Sequence, residues 1–152
     1  MNPVTQNEFR DALQSLETSL ETPRVSGELE RWIASVEKSV DLIGSLLPKQ
    51  IERQHAARLR QIAADDPQLS AEVERVKCGD DAMREQFDKV RERTSQLLKR
   101  ATKVEPDESR LEEKMSELTS LGLAFVIHAR KQEIAIETWQ QEAVYRDIGG
   151  SG

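Results

Sequence analysis

Between Pro67 and Pro106 the inward positions advance in alternating steps of four and three: Leu69, Val73, Val76, Asp80, Met83, Phe87, Val90, Thr94 and Leu97. Such positions share one face only on an α-helix, because a strand would need steps of two. The heptad-like spacing suits a helix packed in a left-handed bundle. A chain holding such a segment must supply other helices to cover its stripe.

The rest of the sequence does so. Pro3, Pro23, Pro67 and Pro106 each stand beside a cap-type or turn-type residue, where a proline suits a first helical turn. They divide the chain into segments of about 19, 43, 38 and 46 residues. The first opens on Thr5-Gln6-Asn7-Glu8, the spacing of a capping box, and carries Phe9, Leu13, Leu16 and Leu20. The second starts at Ser26-Gly27-Glu28 and carries Ile33, Val36, Val40, Ile43, Leu47, Ile51, His55, Leu59 and Ile62. Pro48 falls inside that stripe. The phase continues through it, which favours one long helix kinked at Pro48 over two helices broken at Leu47-Pro48. The third segment has Asp66 placed to cap and Pro67 at the first helical position. The fourth has Ser109 and Glu112 as a second capping box, then Leu111, Met115, Leu118, Gly122, Phe125, His128 or Ala129, Gln132, Ile136, Trp139 and Ala143. The run from Leu121 to Ile127 is nearly all apolar, so the helix there should be covered on more than one side. Helical phase on both sides argues against a strand. Short connections between long amphipathic helices make neighbours antiparallel. The expected fold is all-α: an up-and-down antiparallel helical bundle of three long helices plus a shorter N-terminal helix. It forms one domain over residues 1–148, with a flexible Gly/Ser tail at 149–152.

Composition excludes several classes of function. The chain has 152 residues, 33% of them charged and 37% hydrophobic, and no apolar run long enough to span a membrane. A net charge of -6 argues against a nucleic-acid partner, which needs a basic face. Cys78 is the only cysteine, so no intrachain disulfide forms and a reducing compartment fits. The N-terminal residues show no apolar core flanked by basic residues, so no signal peptide is expected and the location is read as cytoplasmic. There is no phosphate loop, nucleophile elbow, CxxC or HExxH, and nothing selects two carboxylates as an acid–base pair. No positive feature marks an enzyme.

Polar residues interrupt three of the four stripes: His55, then Asp80 with Thr94, then His128 with Gln132. In an antiparallel hairpin, residues equally far from the turn face each other. A turn near residue 66 places His55 within about one helical turn of Asp80, and a turn near residue 105 places Asp80 opposite about residue 130. His55, Asp80 and the His128–Glu133 stretch then share one layer. One reading is a metal or small-ligand site with His55, Asp80, His128 and Glu133 as ligands, and Glu52 one turn before His55. Imidazole with carboxylate suits iron, zinc or manganese. The other reading is a buried polar layer whose hydrogen bonds fix helix register.

At these residues the chain resembles the hemerythrin-like, or HHE cation-binding, family of four-helix bundles. Phe125-Val126-Ile127-His128-Ala129-Arg130-Lys131-Gln132-Glu133 is similar to that family's last-helix motif, with His128 and Glu133 five apart. His55 is similar to the second-helix histidine, although Leu59 stands where the family has Glu. The third helix offers Asp80-Asp81 in place of histidine, and the first offers none. The resemblance covers roughly residues 26 to 147 and implies a bundle with a depleted metal site, binding iron or another divalent metal weakly or not at all.

The remaining features have simple readings. Lys49, Arg53, Arg58 and Arg60 form a small basic patch, read as a solvated face interleaved with acids. Lys99, Arg100 and Lys103 complement a helix C-terminus. Cys78 is a bystander. Trp32, Trp139 and Tyr145 are core or dimer surface, the last two giving the C-terminal turns an apolar face. The first functional expectation is a non-enzymatic bundle binding metal or a small ligand weakly. The alternative is a structural or interaction module that homodimerises without metal.

Overall fold

The computed structural model describes residues 3–103 and 107–150, and its regular structure is all helical, with no strand among the described residues. Helix α1 spans Pro3–Glu21, α2 Leu29–Lys49, α3 Ala56–Asp65, α4 Ser70–Ala101 and α5 Glu108–Gly150. A π-helical segment, Gln50–His55, joins α2 to α3, and a 3-10 turn, Pro67–Leu69, leads into α4. No helix among the described residues is long and apolar enough to cross a membrane.

The helix ends follow local chemistry, with some differences from the sequence expectation. Gly27 takes φ +85, a left-handed turn that glycine adopts at no steric cost, and α2 starts two residues later. Asp66 accepts a hydrogen bond from the Gln68 N–H at 3.1 Å, with Pro67 following as expected. At α5 the cap is Asp107, not Ser109. Its Oδ1 accepts from the N–H groups of Ser109 and Arg110 at 3.2 and 3.4 Å. Helix α1 begins at Pro3, ahead of the Thr5 box, because proline needs no N–H partner in a first turn. Helix α5 continues through Gly149 and Gly150, which the tail expectation left outside it. Ser151 and Gly152 lie outside the described residues.

The chain passes through Pro48 without a turn, so α2, the π segment and α3 are one continuous helical run. Pro48 has no N–H, which removes one hydrogen bond from the helix. The π segment begins two residues later, and the stripe explains its value. Ile43, Leu47, Ile51, His55 and Leu59 advance in four steps of four. On an ideal α-helix those steps drift about 160° around the axis. The wider i→i+5 turn winds less per residue and takes part of that drift back. All five positions are buried as a result.

Nearly every stripe residue is buried, and the buried apolar residues divide into two clusters. The larger joins α1, α2, the C-terminal part of α4 and the first half of α5, around Leu16, Ile33, Phe87, Met115 and Phe125. Gly122 lets Leu20 pack closely, since a Cβ there would lie 2.4 Å from Leu20 Cδ1 and the leucine would have to shift. The smaller holds Leu59, Ile62, Leu69, Val73, Val76, Ile136 and Ala143, with Trp139 packed against it. The polar layer lies between them in sequence position on every contributing helix.

Candidate functional site

His55 ends the π segment and is fully buried. Its Nδ1 lies 3.0 Å from both carboxyl oxygens of Asp80 on α4. Its Nε2 lies 2.7 Å from Glu133 Oε1 on α5. One imidazole therefore ties the α2–α3 run to two other helices, one nitrogen to each.

Around this axis the remaining polar groups are paired, except the buried Oε1 of Gln50. Gln132 Nε2 donates to the Val76 carbonyl at 2.8 Å and to Asp80 Oδ1 at 3.0 Å. Gly79 makes room for it, because a Cβ at that position would come within 2.4 Å of Gln132 Oε1. Gln50 Nε2 donates to Glu133 Oε1 beside the imidazole. Arg58 donates from one guanidinium nitrogen to Glu133 Oε2 at 3.2 Å and from two others to Gln140 Oε1 at 3.0 and 2.7 Å. Two acids face one histidine and one arginine, so a protonated imidazole leaves the layer near neutrality.

Protonation follows from this geometry. Burial alone would push His55 down, but hydrogen bonds and charge from Asp80 and Glu133 outweigh it and raise its pKa to about 9. Burial alone would raise Glu133, but the His55 hydrogen bond and charge, with Gln50 and Arg58, lower it to about 2. At neutral pH the ring is an imidazolium that donates from both nitrogens.

Three of the four residues expected to form a metal site are thus in contact: His55, Asp80 and Glu133. His128 is not among them. It is half-buried, and its Nδ1 bonds Gln86 Oε1 at 2.9 Å. Gln132, on the stripe with Phe125, Ala129 and Ile136, takes the inward place instead. Glu52 points outward and pairs with Arg84 at 3.5 Å. Arg58, read from sequence as part of a solvated patch, is 8% exposed and belongs to the layer. Its spacing of three from His55 and its place before Leu59 put it on the inward arc. Gln50 and Gln140 were not singled out in the sequence, and polar residues of their type carry no distinguishing signal.

The set does not fit a common metal centre. A histidine ligand needs a free lone pair on one nitrogen. Here both nitrogens hold carboxylates, along diverging directions. Among the described residues no three His, Cys, Asp or Glu side chains are placed to hold a metal ion. No protein-family model, curated protein or solved structure matches the chain.

Proposed function

We propose that this protein is a non-enzymatic binding module, an up-and-down antiparallel helical bundle whose His55 layer fixes the register of its helices. The supporting observation is the single buried imidazole held between Asp80 and Glu133 from two different helices. A slip of the α2–α3 run, α4 or α5 would leave a buried charge unpaired, a cost of several kcal/mol per ion. Antiparallel packing is supported by the pairings themselves. Arg93–Glu117, Gln86–His128 and Asp80–Gln132 have midpoints at residues 105, 107 and 106. Ser15–Ser39 and Ser19–Ser35 both centre on residue 27. The hemerythrin-like resemblance enters as ancestry: a metal-binding layer reduced to one in which protons take the place of the metal.

Elemental analysis of protein expressed with iron, zinc and manganese tests this, beside His55→Leu/His128→Leu. The expected result is no stoichiometric metal in either. Near-stoichiometric metal in the wild type, lost in the variant, would overturn the register reading.

A homodimer is the second reading, favoured by the outward apolar positions near the C-terminus. Tyr145 is 76% exposed, and Val144 beside it is also exposed. Light scattering at high concentration decides it. A dimer broken by Tyr145→Ala supports this reading, and a monomeric wild type removes it.

A further inference from the structure

Helices α1 and α5 leave a cleft of about 340 Å³ between them, at the low end of the size range of small-molecule sites. Arg10 and Leu13 form the α1 side, and Arg130, Glu133, Ile134 and Glu137 the α5 side. Its chemistry is divided. Ile134, 62% exposed, gives an apolar surface over the buried Leu13. Arg130 is held by Glu17 through two hydrogen bonds at 2.7 and 3.1 Å, so its charge is matched. Arg10 and Glu137 are different: among the described residues neither has an ion-pair partner.

The α5 side is rich in acceptors. Among the described residues Glu133 Oε2 accepts from Arg58 alone, which leaves it capacity for a further donor. Gln50 donates to Glu133 from Nε2, yet among the described residues its Oε1 has no donor, although Gln50 is 1% exposed. The π segment carrying Gln50 packs against α1, the helix that forms the cleft's other wall. A buried acceptor in need of a donor thus lies behind Glu133. The cleft offers one unpaired cation on α1, carboxylates on α5 and an apolar surface between.

We propose that the α1/α5 cleft binds a small zwitterion of the amino-acid type. Its ammonium is received by Glu137, with the Oε2 of Glu133 beside it, its carboxylate by Arg10, and its aliphatic side chain by Ile134. A zwitterion keeps the cleft and the His55 layer behind it electrically balanced. A simple amine or a simple carboxylate would leave one wall unanswered. The inference rests on the chain being a binding module. The two fail separately, because the cleft is probed at Arg10 and Glu137, which make no bond to His55.

The experiment is an NMR titration of the full chain with L-leucine, beside isopentylamine and 4-methylpentanoate, which each lack one of the two charges. Saturable shifts at residues 10–14 and 130–137 are expected for L-leucine, with Kd on the order of 1 mM. Each single-charge probe should bind about ten-fold more weakly or worse. Arg10→Ala and Glu137→Gln, both at exposed positions, should each weaken L-leucine about ten-fold while the remaining spectrum stays unchanged. Equal binding of all three probes, no saturable shift with L-leucine, or unchanged affinity in both variants would overturn the proposal.

Discussion

The two ends of this molecule are built on different terms. Around Phe125 and Leu16, α1, α2, α4 and α5 close over a large apolar cluster. Around Ile62 and Ile136, the cluster among the described residues comes from α3, the 3-10 turn, α4 and α5, and it is small. In the larger region apolar burial supplies most of the contact between helices, and full burial of one such side chain contributes about 1.5–3 kcal/mol. The smaller region has fewer such side chains, and a charged layer closes it off from the larger one. The difference teaches that a polar layer can substitute directional bonding for apolar area where a fourth helix does not reach.

The largest way to break the comparison is in the large cluster. Phe125→Ala removes a fully buried ring that packs 5.2 Å from Phe87. It should cost about 3–5 kcal/mol in urea unfolding and weaken both regions together. Cutting the layer acts differently. His55→Ala leaves Asp80, Glu133 and Arg58 buried without their centre and should also cost about 3 kcal/mol or more. Its loss should appear first as faster amide exchange in α3 and the last turns of α5, with α1 and α2 still protected. Uniform loss of protection would show that the layer does not separate two regions.

How far the sequence itself discloses this difference varies by residue. Stripe positions from Phe9 to Leu97 were readable because helical periodicity reports burial directly, and the structure buries them. The level of the layer was readable too, since the distance of His55 and Asp80 from one turn fixes their meeting. What was not readable is which side chains reach in. His128 and Gln132 stand near the same level, but His128 lies about 100° off the line of Ala129 and Gln132 turns inward. Arg58 looked like surface because charge suggests solvent. Its partners, Glu133 and Gln140, are 75 and 82 residues away, beyond any local pattern. The π segment left a trace, four successive steps of four, that only makes sense once the wider turn is seen.

Acid and base sharpen the comparison further. His55 has a folded pKa raised from 6.5 to about 9, so its contribution is complete below pH 6.5 and lost as pH rises through about 9. Glu133 has a folded pKa lowered from 4.5 to about 2, so its contribution is complete above pH 4.5 and lost as pH falls through about 2. Stability should therefore plateau between about pH 4.5 and 6.5 and fall on the alkaline side by about 3 kcal/mol at pH 9 and above. In His55→Leu the alkaline fall should vanish. Denaturant midpoints across pH check both statements.

A smaller effect tests the packing beneath the layer. Gly79→Ala should force Gln132 off Asp80 and the Val76 carbonyl and cost about 1–3 kcal/mol. Adding Gln132→Ala removes the clash, so the double variant should cost less than the two single ones summed. Additive costs would show that Gln132 is not what Gly79 accommodates.

The most direct measurement is of the His55 ring itself, by nitrogen-15 NMR of labelled imidazole in the wild type at pH 7, with and without added zinc. Both ring nitrogens should be protonated, remain so until the pH approaches about 9, and be indifferent to the metal. A neutral ring at pH 7, or a nitrogen that loses its proton to zinc, would contradict the imidazolium lock.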